Sequence, residues 1–307
     1  MLAVRAQSIV RGDVWAYEMK WDGVRTLLYW DGTQVVLRSR RGNDVTATYP
    51  EIGRPATSEG AVLDGEIVAL DDSGRPSFGR LQGRMNLQHA GQIRTAVTQT
   101  AVTYVVFDLL FHGRDITTLP WLERRERLEA MQLADPCVVS AVVDDPDPLW
   151  EFVVDRNIEG MIAKRRDSTY QPGVRSPDWR KTSVTRTLRA VVGGFTTGQG
   201  RRNARFGSLQ LGLWQGSALR WIGSVGTGFD DKALRLIREA LDSMVVQESL
   251  FIADPDFPRH VTWVAPRLVA MVEYKEWTSA GRLRAPSFKG FTDDPVETVT
   301  WETEGPQ

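Results

Sequence analysis

The sequence predicts an α+β protein of two domains, and three observations lead to that prediction. The chain has 307 residues, of which 42% are hydrophobic, so it is long enough to build two separate cores. Residues 1–185 alternate short β-rich runs with turn residues and helical segments, which is typical of antiparallel sheets with helices. From about residue 186 glycine becomes frequent among short strands, and this change places the domain boundary near Thr185.

Five β-rich runs are predicted in the first domain. They cover residues 15–18, 26–30, 35–39, 61–70 and 102–110. Asp31-Gly32 lies between the second and third runs, and Asp-Gly is a favoured pair for a hairpin turn. Residues 119–133 combine helical spacing of apolar side chains with a proline near the start, so a helix is predicted there, and a second one at 147–156.

Short strands and one inserted helix are predicted in the second domain. The strands cover residues 209–214, 219–225, 261–264 and 268–274, and the helix runs from 230 to about 244. With glycine turns between them, these elements are typical of a small β-barrel of the oligonucleotide-binding (OB) type. The tail after about Glu302 is predicted to be disordered.

The composition argues against several classes of protein. No stretch approaches the roughly 20 uninterrupted apolar residues of a membrane span, and no basic segment followed by an apolar run opens the chain. We therefore expect a cytoplasmic protein without a membrane partner. Cys137 is the single cysteine, which excludes an internal disulfide and a cysteine-rich zinc site. The histidines, His89, His112 and His260, are widely separated and lack metal-ligand spacing.

Positive charge is concentrated in one stretch, although the formal net charge is -1. Residues 186–220 contain no Asp or Glu. Their arginines are Arg186, Arg189, Arg201, Arg202, Arg205 and Arg220. Such a run is either a solvated face of the protein or a surface that binds phosphate groups, and charge alone does not decide between the two.

The strongest local pattern lies at residues 20–25, which read Lys-Trp-Asp-Gly-Val-Arg between two predicted strands. Its Asp-Gly pair alone indicates a hairpin turn, but a lysine precedes this pair and an arginine follows it. Arginine supplies most of the positive charge of the chain, so its few lysines stand out. An amine can act as a nucleophile, whereas a guanidinium cannot.

This pattern resembles the nucleotidyl-attachment motif of the covalent nucleotidyltransferases, which comprise DNA ligases, RNA ligases and mRNA capping enzymes. Further motifs of that superfamily follow in the same order, at residues 39–42 (Ser-Arg-Arg-Gly), 63–66 (Leu-Asp-Gly-Glu), 107–110 (Phe-Asp-Leu-Leu) and 159–164 (Glu-Gly-Met-Ile-Ala-Lys). The match continues at residues 167–173, 176–179, 223–228 and 283–288. It covers nearly the whole chain and is most similar to bacterial ATP-dependent DNA ligases, especially the ligase module of end-joining enzymes.

The resemblance implies a nucleotidyltransferase (adenylation) domain over residues 1–185 and an OB-fold domain over 186–307. It also implies the reaction of an ATP-dependent DNA ligase, in three steps. Lys20 takes AMP from ATP, the AMP passes to the 5′-phosphate of a nick, and a 3′-hydroxyl then displaces it to form the phosphodiester bond. The second domain would grip the DNA duplex across its minor groove and backbone.

The same resemblance assigns residues to each role. The catalytic residues would be Lys20, Lys164 and Lys181. ATP would be bound by Glu18, Lys20, Arg25, Arg40, Glu66, Phe107, Ile162, Lys164 and Lys181, with Glu66 on the ribose and Phe107 stacked on the adenine. Mg²⁺ or Mn²⁺ would be held by Glu66 and Glu159. Nucleic acid would be contacted by Arg40, Arg41, Arg186, Arg201, Arg202 and Arg205.

The resemblance further implies partners and a setting. The expected partners are nicked double-stranded DNA and end-joining proteins, namely a Ku-type protein and a polymerase/primase. We expect a monomer associated with the nucleoid. Because residues 1–3 align with the element that opens the catalytic domain of larger relatives, the chain is expected to be either a minimal ligase or one module of a longer enzyme.

The sequence departs from the family pattern at two places. The motif that normally supplies two lysines one residue apart reads Lys181-Thr182-Ser183, so serine replaces the second lysine. Near the C-terminus, residues 292–295 read Thr-Asp-Asp-Pro where the family commonly has Arg-x-Asp-Lys. In the family, the basic residues of the second motif orient the pyrophosphate leaving group, so their loss is expected to weaken self-adenylylation more than sealing. Each lost transition-state contact can cost on the order of 10²-fold in rate.

Three alternatives stay open at the level of the sequence. Within the superfamily, the chain could be an RNA ligase or a capping-type enzyme that uses GTP. The two departures also suit a catalytically weak module that binds nicked DNA without turnover. The third alternative is an unrelated β-rich protein with chance motifs.

Overall fold

The computed structural model describes residues 1–198, 206–278 and 280–306. It divides into two compact units, Met1–Val184 and Thr185–Gln307. Across these described ranges, none of the helices has both the length and the apolar character needed to cross a membrane.

The first unit contains two sheets and several helices. Its strands are β1 (Leu2–Arg5), β2 (Trp15–Met19), β3 (Val24–Trp30), β4 (Val35–Ser39), β5 (Ala61–Val68), β6 (Thr103–His112), β7 (Cys137–Val139), β8 (Val142–Val143), β9 (Gly160–Arg165) and β10 (Arg175–Ser183). Its helices are α1 (Phe78–Gln82), α2 (Ala90–Gln99), α3 (Trp121–Ala130) and α4 (Pro146–Asp155), with a short 3₁₀-helix at Thr46–Thr48.

Each sheet of the first unit has five strands. The order is β1-β10-β9-β2-β8 in one sheet and β4-β3-β5-β6-β7 in the other. Most neighbouring pairs are antiparallel, as expected, and the Asp31-Gly32 turn joins the antiparallel pair β3 and β4. Each sheet also has a parallel pair at one edge, β1 with β10 and β6 with β7.

Alternation along the strands places the core of the first unit. In β3 the side chains of Leu28 and Trp30 are buried, whereas Tyr29 between them is exposed, as expected for a strand with a two-residue repeat. The buried face packs against the helices through residues such as Leu81 and Leu128. Arg25, Leu27 and Tyr29 lie on the opposite, less buried face of β3.

Some helices of the first unit are predictable from the sequence and others are not. Asp145 caps α4 by accepting a hydrogen bond from the backbone N–H of Asp147, and Pro146 follows at the first turn. The sequence did not predict α1 or α2. Ile93 is the single buried residue of α2, and threonine and glycine, which are weak helix formers, occupy several of its positions, so little in the sequence indicated a helix.

The second unit is built around one long sheet. Its strands are β11 (Arg186–Thr197), β12 (Phe206–Gln215), β13 (Ala218–Val225), β14 (Val261–Trp263), β15 (Val269–Tyr274) and β16 (Ser287–Thr292), and its helices are α5 (Asp231–Asp242) and α6 (Trp301–Glu304). A further 3₁₀-helix spans Val296–Thr298. The strand order is β13-β12-β11-β15-β16. The short strand β14 pairs with residues 194–196 of β11, beyond the part of β11 that pairs with β15.

Two backbone hydrogen bonds bring the ends of this sheet together into a barrel. The N–H of Leu283 donates to the carbonyl of Ile222 at 2.8 Å, and the N–H of Phe288 donates to the carbonyl of Thr227 at 2.9 Å. At Gly228 φ is +92°, and an added Cβ would lie 2.2 Å from the Phe288 carbonyl oxygen. Only glycine fits this closure. A closed sheet with one helix, α5, inserted after its third strand is the predicted OB-type barrel.

The expectation of disorder after Glu302 is wrong as far as the structure describes the tail. Thr300 caps α6 with its hydroxyl, and the carboxylate of Glu304 accepts hydrogen bonds from the backbone N–H and the Nε of Arg189, at 3.0 and 2.7 Å. The Trp301 ring lies under the guanidinium of Arg220, 3.7 Å from the ring centroid. The C-terminal segment is polar in composition, and composition alone does not reveal these specific contacts.

Candidate active site

A pocket of about 230 Å³ opens in the first unit between strands of its two sheets. The structure brings all of the predicted ATP-binding residues to its wall: Glu18, Lys20, Arg25, Arg40, Glu66, Phe107, Ile162, Lys164 and Lys181. These residues are spread over more than half of the sequence. Strands from both sheets therefore converge on one cavity, and the roles assigned to its residues stay predictions.

Lys20 directly follows the end of β2, and two contacts with residues 159–160 orient it. Its backbone N–H donates to the carbonyl of Gly160 at 2.9 Å, and its Nζ forms an ion pair with the carboxylate of Glu159. At Gly160 φ is +148°, and an added Cβ would lie 2.1 Å from the carbonyl oxygen of Thr182. A glycine is thus required where the chain places Glu159 beside Lys20.

Lys164 is buried, with 2% of its side chain exposed. It lies on β9 and forms an ion pair with Glu18 of the neighbouring β2, while its Nζ donates to the carbonyl of Phe107 at 2.9 Å. Burial lowers the pKa of Lys164, and the nearby carboxylate of Glu18 acts in the opposite direction. One oxygen of Glu18, Oε2, is buried and has no hydrogen-bond partner among the described residues.

Two aromatic rings form one side of the pocket. Phe107 and Trp179 meet edge to face, with ring centroids 6.1 Å apart and an interplanar angle of 80°. The Nζ of Lys164 lies 4.6 Å from the centroid of Phe107 and 4.2 Å from that of Trp179. These rings therefore combine apolar surface with direct contact to a buried cation.

Arg25 is held in place by a buried carboxylate. Its Nε and Nη2 donate to the two oxygens of Asp64 at 3.0 and 2.6 Å, a two-point contact that fixes the guanidinium plane. The hydroxyl of Tyr170 donates to the same carboxylate at 2.7 Å. Arg25 thus lines the pocket with its guanidinium in one defined orientation.

Glu66 and Glu159 are the predicted metal ligands, and they differ in their surroundings. Glu66 lines the pocket, and burial raises its pKa to about 8 against the opposing charges of Lys20 and Arg25. Glu159 contacts Lys20. No group of three or more His, Cys, Asp or Glu side chains within the described ranges is arranged to hold a metal ion. One or two carboxylates suffice for Mg²⁺ that takes its other ligands from phosphates and water, so these residues fit such an ion.

The structure describes three of the six predicted nucleic-acid contacts. Arg40 and Arg41 are exposed just after β4, and Arg40 also lines the pocket. Arg186 opens β11 in the other unit. The remaining three, Arg201, Arg202 and Arg205, lie outside the described residues.

The two departures from the family pattern have defined surroundings. Ser183 ends β10 two residues after Lys181, so the two side chains point to the same face of the strand. In the second unit, the carboxylate of Asp294 accepts a hydrogen bond from Nη1 of Arg189 at 2.9 Å. Segment 292–295 thus carries an acidic residue that is paired with Arg189, and it lacks the basic residues of the family pattern.

The sequence analysis missed several contributors to this site, among them the pocket-lining Arg175. Trp179 lies within a quoted motif but received no role, and the same holds for Asp64, which orients Arg25. Arg124 on α3 is fully buried and forms two hydrogen bonds of 2.8 Å with Asp108, the residue that follows Phe107. The motifs that contain Trp179 and Asp64 could have indicated that these two residues belong to the site. The sequence around Arg124, a helix rich in charged residues, gave no such indication.

Comparisons with known proteins agree with this geometry. The model of the ATP dependent DNA ligase domain matches residues 1–182, and that of the ATP dependent DNA ligase C terminal region matches residues 202–295. The multifunctional non-homologous end joining protein LigD of Mycolicibacterium smegmatis is 39% identical over 94% of this chain, and the match covers 37% of that protein. The chain thus spans little more than a third of the length of this curated relative.

Solved structures agree as well. The ligase domain of Mycobacterium tuberculosis LigD is 35% identical with a TM-score of 0.55, and the match covers 97% of this chain and 96% of that one. A mycobacterial DNA ligase D complexed with ATP and MES is 34% identical with a TM-score of 0.52, covering 97% of each chain. From its motifs, its pocket and these matches, the chain belongs to the ATP-dependent DNA ligase family.

Proposed function

We propose that this chain seals 5′-phosphate/3′-hydroxyl nicks in double-stranded DNA, with ATP as cofactor and a covalent lysyl-AMP on Lys20 as the first intermediate. One observation carries the proposal. The amine of Lys20 lies in a pocket that also gathers Lys164, Lys181 and Arg25 around an aromatic wall. Such a set joins a nucleophile with fixed positive charge, as phosphoryl transfer requires.

In the first step, Nζ of Lys20 attacks the α-phosphorus of ATP. A nitrogen–phosphorus bond forms, the bond to the bridging oxygen breaks, and pyrophosphate leaves. The carboxylate of Glu159, which contacts Nζ, orients the amine and is the nearest acceptor for the proton that it loses. Lys164 and Lys181 supply positive charge to the phosphate oxygens as negative charge spreads over them. AMP then passes to the 5′-phosphate, and the 3′-hydroxyl displaces it.

The choice of adenine is assigned to Glu18, Phe107 and Ile162. Phe107 offers a ring for stacking and Ile162 an apolar surface on the pocket wall. Glu18 lines the same pocket and is the proposed polar contact of the base. ATP is the proposed nucleotide, and offering ATP and GTP side by side separates this proposal from a capping-type enzyme that uses GTP.

A divalent metal ion, Mg²⁺ or Mn²⁺, would be held by Glu66 and Glu159 together with the phosphates of ATP. It would neutralise charge on the phosphates and on the departing pyrophosphate. Glu66 also remains the proposed partner of the ribose hydroxyls, because it lines the pocket.

The first step is proposed to be slower than in relatives that carry the complete motifs. Serine stands at position 183, so one cation near the phosphates is missing. The acidic segment 292–295 removes further positive charge that would orient the pyrophosphate. Sealing of DNA that already carries AMP does not need these groups and should be less affected.

The proposed DNA contacts are the phosphates of the nicked strand. Arg40 and Arg41 serve them from the first unit, and Arg186, Arg201, Arg202 and Arg205 serve the duplex from the second. The M. smegmatis relative is named an end joining protein, and on that basis we propose a role in end joining. Ku-type and polymerase/primase proteins would be the partners. Joining of broken ends that increases when such proteins are added would support this role, whereas unchanged joining would contradict it.

The first experiment incubates the chain with α-phosphate-labelled ATP or GTP and Mg²⁺ or Mn²⁺, followed by denaturing electrophoresis. Label from ATP should stay on the wild type and be absent from Lys20→Ala. A protein already adenylylated during expression would retain no label, and mass spectrometry of the intact chain reveals the added AMP.

Nicked DNA and a nick that already carries AMP are then offered to the same two proteins. Sealing of both by the wild type supports the proposal. Sealing of the pre-adenylated nick alone locates a defect in the first step. Binding of nicked DNA without sealing of either substrate would overturn the proposal in favour of a binding module.

A further inference from the structure

Trp179 holds a distinctive place beside the proposed reaction centre. It lies on β10, opposite Lys164 of β9 in the antiparallel register, and it is 3% exposed. Its ring centroid lies 4.2 Å from Nζ of Lys164 and 5.7 Å from Cζ of Arg25. One tryptophan ring therefore contacts two cations of the pocket.

We propose that Trp179 is a positioning residue that holds the ammonium group of Lys164 where the α-phosphate of the nucleotide arrives. This inference rests on the proposed function and deepens it. Trp179 makes no proposed contact with the reacting atoms and acts through Lys164.

The energetics of burial support this role. Burying an ammonium group is unfavourable unless nearby groups compensate, and Lys164 is only 2% exposed. Glu18 supplies one compensating charge, but a carboxylate also draws the amine away from a phosphate. The face of an indole ring stabilises a cation without a negative charge that would repel the nucleotide, and tryptophan does so better than phenylalanine.

Other contacts of the ring make it a fixed support. Trp179 meets Phe107 edge to face at 6.1 Å and Tyr170 at 5.9 Å between centroids. Tyr170 in turn donates a hydrogen bond to the carboxylate of Asp64, which orients Arg25. The Trp179 ring is thus held by contacts with two other aromatic rings, as a residue that positions another side chain should be.

The test compares Trp179→Leu and Trp179→Phe in single-turnover adenylylation at several ATP concentrations. Trp179→Leu should lower the maximal rate by about tenfold, with a small change in the half-saturating ATP concentration, because Lys164 acts on the transition state. Trp179→Phe should recover most of the rate. Equal maximal rates for wild type and Trp179→Leu, or a change confined to half-saturation, would overturn the proposal.

Two controls separate positioning from loss of structure. Trp30 is 4% exposed in the same unit and contacts Arg54 with its ring, yet it lies outside the pocket wall. Trp30→Leu should lower thermal stability without slowing the folded enzyme. In the double variant with Lys164→Met, Trp179→Leu should have no further effect on rate; a full additional tenfold loss would contradict action through Lys164.

Failure of the proposed function gives a different result from failure of the proposed role of Trp179. If wild type forms no lysyl-AMP, the function fails whatever Trp179 does. The contact itself is then tested in Lys20→Ala by urea unfolding of the Trp179→Leu, Lys164→Met and double variants. Additive losses of stability would overturn the contact, and a smaller loss in the double variant would support it.

Discussion

Replacing Arg124 with methionine tests the most deeply buried ion pair of the first unit. The side chains of Arg124 and Asp108 are both 0% exposed and are joined by two hydrogen bonds of 2.8 Å. Methionine fills a similar volume but leaves the carboxylate of Asp108 buried without its partner. We expect Arg124→Met to lower the free energy of unfolding by about 3–5 kcal/mol.

The structure explains why this loss should be large. Nη1 of Arg124 also donates to the carbonyls of Leu119 and Ser168, at 2.6 and 3.1 Å, so the variant leaves these acceptors without that donor. Natural proteins are stable by only about 5–15 kcal/mol, and the variant would lose a large part of that margin. A double variant, Asp108→Leu with Arg124→Met, should recover much of the loss, because no charge then stays buried alone.

Urea unfolding followed by circular dichroism and fluorescence measures these changes. The exposed pair of Arg165 and Asp167, with 46% and 64% of the side chains exposed, provides the matched control. Arg165→Met should lower the free energy of unfolding far less than Arg124→Met, because an ion pair in solvent contributes little. The reasoning is refuted if Arg124→Met costs no more than Arg165→Met, or if the double variant is less stable than Arg124→Met.

Three further predictions concern the pocket. Ser183→Lys restores the missing cation and should speed self-adenylylation by about tenfold or more in single-turnover assays. Equal rates for the variant and the wild type would contradict the proposal that Ser183 slows the first step. In protein free of metal ion and nucleotide, burial raises the pKa of Glu66 from 4.5 to about 8, so the native carboxyl keeps a proton that the unfolded chain loses in this interval. The stability of this form therefore falls as pH rises from 4.5 to about 8. Glu66→Gln should therefore raise the melting temperature more at pH 8 than at pH 5, and an equal gain at both pH values would contradict the burial effect. Gly160→Ala places a Cβ 2.1 Å from the Thr182 carbonyl oxygen and should cost roughly 3 kcal/mol in urea unfolding; an unchanged midpoint would show that the backbone accommodates it.

Strands and motifs were the parts of this protein that its sequence made predictable. Residues 35–39 form β4 as predicted, since two β-branched valines open this run soon after the Asp31-Gly32 turn. The motif residues were also predicted to meet, and the pocket gathers them. Helix α2 was not predicted, because it buries only one residue and several of its positions are threonine or glycine, which favour helices weakly.

Long-range side-chain partners explain what the sequence did not reveal about the site. Nothing in the sequence near Arg124 indicates that its partner is Asp108, sixteen residues earlier on another element. Likewise, the motif around Trp179 marks the segment, but only the pairing of β9 with β10 sets its ring against Lys164. Such contacts depend on strand register, which residue patterns constrain only loosely.

The parallel pairing of β1 with β10 has a consequence for how the pocket forms. Leu2 pairs with Arg175 and Arg5 with Lys181, so two segments separated by most of the first unit must meet before this sheet is complete. Leu2 and Lys181 both line the pocket. Contacts of such high sequence separation form at a large entropic cost and therefore late. The nucleotide pocket is thus a product of complete folding, and a fragment that lacks either strand would lose ATP binding while keeping the local hairpin of β3 and β4.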